Sequence, residues 1–308
     1  MQNRGYMVKS SRKAHSPAGK SANRRDNPDQ AIAKYSEALE ADPKDVRAWC
    51  GRGRARLQKG DYDEAIADLT KALELDPKDA LALSYRALAF KKKGDLASSI
   101  EDYTKAIELE PDDAILYDLR GTSFAFGGEF EKAIADYNLA IEKRPESASF
   151  YFDRASVYNE AGDQQKAVAD YTRAIELNPE DINAYGCRAM IYWLRQDHEK
   201  AIADFTKIMK LDPENLEAYE SRAAINLSMG SPEKALSDCR KALMLSPSSP
   251  RAYVVKAVAC EMLKRHSEAA KAYSRYLELS PEISDAEKDG IAKKISLFQK
   301  KRSDSRED

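Results

Sequence analysis

Apolar and polar positions along the chain follow one pattern that returns every 34 residues. The segment "KALELDPKD" at 71–79 reappears as "KAIELEPDD" at 105–113 and as "RAIELNPED" at 173–181. Within each repeat, apolar and small residues recur at helical spacing in two stretches, so each repeat is expected to form two amphipathic helices. A period of this length is typical of stacked helical units, and it predicts one long repeat array.

Residues that start and stop helices recur with the same period. Each predicted first helix follows a residue whose side-chain oxygen can accept an otherwise unpaired backbone N–H. A turn such as "KGD" at 59–61 separates the two helices, and Asp61 is expected to cap the second helix with Glu64 completing a capping box. The predicted caps of the first helices are Asp45, Asp79, Asp113, Ser147, Asp181, Asn215 and Ser249.

Counted from Val46, the repeat resembles the tetratricopeptide repeat. An aromatic residue stands at position 4 as Trp49, Tyr117, Tyr151, Tyr185, Tyr219 and Tyr253, with Leu83 as the exception. The small residue at position 8 is Gly53, Ala87, Gly121, Ala155, Ala189, Ala223 or Ala257. This resemblance implies an all-α, right-handed superhelical solenoid of antiparallel helix pairs.

The resemblance covers residues 29–283, and the ends of the chain depart from it. Residues 29–45 match only the second half of a unit, residues 284–301 predict a C-terminal capping helix, and residues 302–308 predict a disordered tail. Residues 1–28 predict a basic, disordered N-terminal tail. The predicted full units are 46–79, 80–113, 114–147, 148–181, 182–215, 216–249 and 250–283.

Two opposite charges recur beside the packed face of each unit. Position 7 is basic and position 23 is acidic, and both change in the last unit, to Lys256 and Ala272. Because a charge near a packed face is costly unless it is paired, we expect ion pairs within units rather than a row of ligand-binding arginines. The predicted pairs are Arg52–Asp68, Arg86–Asp102, Arg120–Asp136, Arg154–Asp170, Arg188–Asp204 and Arg222–Asp238.

The opposite face of the first helices is the candidate binding surface, because in the family this face lines a concave groove that binds peptides or partner domains. It is expected to accept a protein segment that is apolar, acidic at one end and basic along the rest; Trp193 stands out because tryptophan is frequent at binding hot spots. Two other interpretations remain: the apolar residues pack between neighbouring first helices, and the charges form a solvated face. The candidate groove residues are Arg47, Arg54, Tyr85, Lys92, Asp118, Phe126, Phe152, Asp153, Met190, Trp193, Glu217 and Glu220.

Several other functions find little support in the sequence. Chaperone-binding members of the family hold a partner's C-terminal carboxylates with Lys at position 5 and Asn at position 9, and no unit here has that pair, which makes a chaperone tail an unlikely partner. The three histidines are far apart and no phosphate-binding loop is present, so no enzyme activity, metal or cofactor is expected. A net charge of −2, four dispersed cysteines and the lack of a long apolar run predict a soluble, intracellular protein.

The first 25 residues carry seven basic and no acidic side chains. A solvated tail is one interpretation; an organelle transit segment, or an arm that contacts anionic lipid or nucleic acid, is another.

Taken together, the repeat pattern and the candidate groove predict a non-catalytic interaction scaffold. The alternative function is a targeting or assembly factor whose basic tail engages a membrane or nucleic acid.

Overall fold

The structure is a computed structural model that describes residues 27–304, with side chains described as far as residue 300. All regular secondary structure in this range is α-helical, and the protein has an all-α repeat fold of consecutive helix pairs. The helices are α1 Pro28–Ala41, α2 Val46–Lys59, α3 Tyr62–Leu75, α4 Ala80–Lys93, α5 Leu96–Leu109, α6 Ala114–Phe126, α7 Phe130–Lys143, α8 Ala148–Glu160, α9 Gln164–Leu177, α10 Ile182–Leu194, α11 His198–Leu211, α12 Leu216–Ser228, α13 Pro232–Leu245, α14 Pro250–Met262, α15 His266–Leu279 and α16 Asp285–Asp304.

Side-chain caps begin most of the first helices. Asp45 and Asp79, for example, accept hydrogen bonds from the backbone N–H three residues later. Ser147 is an exception, because its side chain caps no helix and its Oγ lies 3.0 Å from Ser149 Oγ. The cap expected from Asp61 is wrong: its side chain accepts no cap hydrogen bond, and its carboxylate lies 3.6 Å from Lys59 Nζ.

Short turns fold the second helix of each pair back against the first. Gly60 ends α2 with φ +97° and Gly94 ends α4 with φ +88°, a left-handed conformation that glycine adopts at little cost. Only two residues, Gly60 and Asp61, separate α2 from α3, so the two helices run antiparallel and pack along their lengths.

Small residues allow the paired helices to approach closely. Ala65 and Ala133 are fully buried, and a Cβ atom added at Gly53 would lie 2.7 Å from Leu69 Cγ. Large side chains fill the space beside them, with Tyr103 and Tyr137 almost completely buried. Alternation of small and large residues thus gives each helix pair a packed interior.

The chain divides into two compact units, Met1–Pro145 and Glu146–Asp308. The described part of the first unit contains α1–α7, and that of the second contains α8–α16. At the end of the second unit, α16 packs against α15 and buries Ile291 and Phe298, whose ring stacks on His266.

The ends of the chain depart slightly from the boundaries expected from the sequence. Helix α16 continues to Asp304, three residues beyond the expected end of the capping helix, and α1 already begins at Pro28. The basic segment of residues 1–26, which the sequence predicts to be disordered, and residues 305–308 lie outside the described residues.

Candidate functional site

Each basic residue of position 7 from Arg52 to Arg222 forms a two-pronged ion pair with the aspartate 16 residues later. Nε and one Nη donate to the two carboxylate oxygens at distances between 2.6 and 2.9 Å. All six carboxylates are buried, where such a matched fork geometry is needed to offset the loss of water. The pairs are Arg52–Asp68, Arg86–Asp102, Arg120–Asp136, Arg154–Asp170, Arg188–Asp204 and Arg222–Asp238.

A third hydrogen bond ties five of these arginines to the preceding helix or helix pair. Nη1 of Arg120, for example, donates to Thr104 Oγ1 at 3.1 Å, while Thr104 donates its own proton to the carbonyl of Ile100 at 2.7 Å. One hydroxyl therefore satisfies a buried donor of the next pair without losing its own partner. This contact was not predicted from the sequence, although its signal is present there: a hydroxyl residue stands 16 positions before five of the six arginines. The other acceptors are Ser36 for Arg52, Thr70 for Arg86, Thr172 for Arg188 and Thr206 for Arg222.

Aromatic rings lie beside the guanidinium groups of Arg52, Arg86, Arg120, Arg154 and Arg188. The guanidinium carbon of Arg52 lies 4.7 Å from the centre of the Trp49 ring, and that of Arg120 lies 5.9 Å from Tyr117 and 6.0 Å from Phe124. A planar, weakly hydrated guanidinium suits a site between two rings better than an ammonium group. The hydrogen bonds to Asp136 raise the pKa of Arg120 above its ordinary value. These arginines are thus engaged by side chains of the protein itself.

Part of the candidate groove lies on the first helices of the first compact unit. Arg47, Arg54 and Lys92 are exposed, and the side chain of Phe126 is 58% exposed. A hydrogen bond to the Tyr85 hydroxyl raises the pKa of Arg54, so the Arg54 guanidinium stays positively charged. We call Arg47, Arg54, Lys92 and Phe126 the α2–α6 face; it combines positive charge with one accessible ring.

The second compact unit carries a face of opposite charge. Phe152, Asp153, Met190 and Trp193 are partly buried, and Glu217 is exposed. The Phe152 ring packs edge-on against Tyr171 with 5.4 Å between ring centres, and Leu194 beside Trp193 is 60% exposed. We call Phe152, Asp153, Met190, Trp193 and Glu217 the α8–α12 face.

Three candidate groove residues are buried, which corrects the expectation that they are surface residues. Only 5% of Tyr85, 4% of Asp118 and 9% of Glu220 is accessible. At Glu220 the cause is the next first helix: Ser249 donates a hydrogen bond to the carboxylate, and Arg251 Nη1 lies 3.8 Å from Glu220 Oε2. The first helix α4 touches α2, and α14 touches α12, so each covers side chains that an isolated helix would expose.

The cysteine side chains are buried or partly buried. Burial raises the pKa of all four thiols, and the values for Cys50 and Cys239 are about 12. Across residues 27–304, no group of three or more His, Cys, Asp or Glu side chains is placed to bind a metal ion. Over the same range, every helix is too short or too polar to cross a lipid bilayer.

Successive helix pairs linked by a recurring side-chain network define this molecule as a helical repeat protein. Models of the tetratricopeptide repeat match residues 17–80, 50–114, 119–182, 182–215 and 227–282. Because these matches cover more than half of the chain, the protein belongs to the tetratricopeptide repeat family, and this membership supports a role as a protein-interaction scaffold.

Solved structures with the same fold share little sequence with this chain. The C-terminal part of a repeat-containing protein from Cytophaga hutchinsonii is 19% identical, with a TM-score of 0.62 over 74% of this chain and 94% of that one. A tetratricopeptide repeat protein from Parabacteroides merdae is 20% identical, with a TM-score of 0.54 over 87% and 99%. YrrB, described as a TPR protein with an unusual peptide-binding site, is 23% identical, with a TM-score of 0.51 over 61% and 97%. No curated protein matches the chain.

Proposed function

We propose that the protein is a non-catalytic scaffold that binds extended or helical segments of partner proteins on its first helices. The observation that carries the proposal is the α8–α12 face, where Trp193 is incompletely covered and the neighbouring Leu194 is 60% exposed. An accessible tryptophan among apolar neighbours can bury a large area against a partner at a small cost in conformational entropy.

Charge determines which segment each face favours. Asp153 and Glu217 on the α8–α12 face favour a segment with Lys or Arg beside its apolar anchors. Arg47, Arg54 and Lys92 on the α2–α6 face favour an acidic segment, and Phe126 offers an aromatic contact. The proposed partner is therefore a protein with apolar segments flanked by charges of either sign.

The arginine–aspartate pairs support this assignment by exclusion. Their donors and acceptors are used inside the protein, so binding falls to the face that the pairs leave free. The peptide-binding site described for YrrB supports a peptide as the ligand class for this fold.

The experiment selects ligands from a random peptide library displayed on phage and measures the affinity of the enriched peptides by fluorescence polarisation. We expect the peptides that bind the α8–α12 face to combine aromatic or aliphatic residues with Lys or Arg. Trp193→Ala is expected to weaken their binding about tenfold or more, which is typical of a hot-spot tryptophan. Glu217→Lys is also expected to weaken the binding of these peptides, because the new positive charge repels their Lys and Arg side chains.

The matched control is Met244→Ala on α13, a second helix of the same compact unit. Met244 is 75% exposed, so its truncation also removes an accessible apolar side chain. The proposal requires that this variant bind the peptides as the wild type does. Equal losses in Met244→Ala and Trp193→Ala, or a library from which no peptide is enriched, would contradict it.

A further inference from the structure

The last helix pair, α14 and α15, lacks the ion pair that the earlier ones have. Lys256 replaces the arginine, and Ala272 replaces the aspartate 16 residues later. The hydroxyl residue of the preceding pair is also replaced, because Arg240 occupies the position that Thr206 has one repeat earlier. All three members of the network have therefore changed, and the only acid among them has been lost.

An open cleft of about 280 Å³ lies at this place in the last pair. A cleft of the same volume in the preceding pair is lined by Arg222 and its partner Asp238, so the last cleft differs in lacking the carboxylate of position 23. Its walls are formed by Tyr253, Lys256, Glu268, Lys271 and Ala272. A cleft of that size is several times the volume of one water molecule, and it can admit a small polar group together with water.

The positive charges around the cleft have no acidic partner. Among the residues that the structure describes, Lys256, Lys271 and Arg240 form no ion pair or hydrogen bond. Arg240 occupies the position whose residue accepts a hydrogen bond from position 7 at 2.8 Å in the preceding repeat, and it cannot accept one from Lys256. A cluster of like charges in one cleft is unfavourable until an anion neutralises it.

The one carboxylate in the wall does not satisfy this requirement. Both oxygens of Glu268 accept hydrogen bonds from Arg265, at 2.8 Å each. Tyr253 adds to the wall a hydroxyl that can donate its proton. The cleft thus offers two ammonium groups and one hydroxyl, and its only acid is already paired.

We propose that this cleft binds a carboxylate from outside the protein, in the place that the aspartate of position 23 takes in the other repeats. Lys256 and Lys271 would provide charge-assisted hydrogen bonds, and Tyr253 would donate a neutral one. The carboxylate can come from an acidic side chain or from a free C-terminus. This site is separate from the α2–α6 and α8–α12 faces and does not depend on the peptide binding proposed for them.

The experiment is an NMR titration of the full-length protein, in which backbone amide shifts of residues 253–272 are followed at constant ionic strength. N-acetylglycine presents a C-terminal carboxylate. N-acetylaspartate with its α-carboxyl blocked as the amide presents a side-chain carboxylate, and N-acetylglycinamide is the uncharged control. Saturable shifts with either carboxylate and none with the control are expected, and the stronger probe identifies the source. Inorganic phosphate forms a further arm; shifts with phosphate but with neither carboxylate would overturn the proposal.

Two variants test the site itself. Lys256→Met removes the central charge, and Ala272→Asp supplies an internal carboxylate, so each should weaken binding at least about fivefold. Lys293→Met on α16 makes the same charge change at an exposed position outside the cleft and should bind as the wild type does. If Ala272→Asp bound the carboxylate probes with wild-type affinity, while circular dichroism showed the same helix content as in the wild type, the proposal would be overturned.

Discussion

The guanidinium of Arg120 donates one hydrogen bond to each carboxylate oxygen of Asp136, both at 2.8 Å, across the interface between α6 and α7. The same contact recurs at intervals of one repeat, and in each case the carboxylate is buried. The two helices of a pair are therefore joined by a buried polar contact. When intact, such a contact adds little net stability, but removing one partner destabilises the protein strongly because a buried charge is left unpaired.

Removing either partner of this pair should destabilise the protein. We expect Arg120→Ala and Asp136→Ala each to cost about 3–5 kcal/mol, because each leaves a buried charge without its partner. The double variant should lose clearly less than the sum, and urea denaturation of the four proteins measures the difference. The exposed pair Lys105–Glu101 is the control, for which little coupling is expected. Additive losses at Arg120 and Asp136 would rule out the coupling.

The hydroxyl of Thr104 should stabilise the contact between consecutive helix pairs. Thr104→Val keeps the shape of the side chain but removes the acceptor for Arg120 Nη1, so we expect a loss of about 1–3 kcal/mol in the free energy of unfolding. Thr104→Ser retains the oxygen and serves as the matched variant. If urea denaturation gives the Thr104→Val and Thr104→Ser variants the same free energy of unfolding, the hydroxyl does not contribute to stability.

Charge reversal should separate a buried glutamate from an exposed one on the same helix. Glu220→Lys places an ammonium against Arg251 and removes the acceptor of Ser249, and we expect a loss of about 3 kcal/mol or more. Glu217→Lys should leave stability nearly unchanged because Glu217 is exposed. Thermal denaturation compares the two; equal melting temperatures would contradict the structural role of Glu220.

The attachment of α16 should weaken in acid. Burial favours the neutral form of Glu261, but hydrogen bonds from Lys294 and Tyr273 outweigh it and lower the pKa of Glu261. A lowered pKa means that the stabilisation is present above the unfolded value of about 4.3 and is lost as the pH falls through the folded value. Hydrogen exchange in α16 should therefore be faster in Glu261→Gln than in the wild type at about pH 7, and nearly equal at about pH 3. A difference that persists in acid would exclude this contact as the cause.

The cysteines should be unreactive while the protein is folded. Burial raises the pKa of Cys50 and Cys239 to about 12, so almost no thiolate is present near neutral pH. We expect iodoacetamide to label these two thiols slowly in the native protein and rapidly in urea, as measured by mass spectrometry. Rapid native labelling of either one would show that the thiol is accessible and ionised.

The helix pairs could be predicted from the sequence because their signals are local. Val46, Ala80 and Ala114 begin first helices one repeat apart, each directly after an aspartate. Apolar spacing and capping oxygens act over one or two turns, so a single sequence contains the information. Asp61 shows the limit, since whether a carboxylate caps its helix or turns to Lys59 depends on side-chain geometry.

Contacts between consecutive pairs were harder to predict. Tyr85 and Glu220 lie opposite the packed stripe of their own helix, so helical spacing alone places them in solvent, although the neighbouring first helix covers them. Thr104 was missed for a related reason: a threonine on a second helix looks like an ordinary surface residue until the next arginine is positioned beside it. Distances between units determine these contacts, and spacing within one helix does not encode them.

The bond from an arginine to the preceding hydroxyl also makes the repeats that share it interchangeable. Thr70 and Thr104 present the same oxygen to the arginine that follows, Arg86 and Arg120 respectively. If residues 80–113 were removed as one block, Thr70 would stand before Arg120 at the spacing that Thr104 has now. A repeat that lies between such a hydroxyl and such an arginine can in this way be gained or lost without leaving a donor unmatched, so the number of repeats can change by duplication or deletion while the chemistry of that junction stays the same.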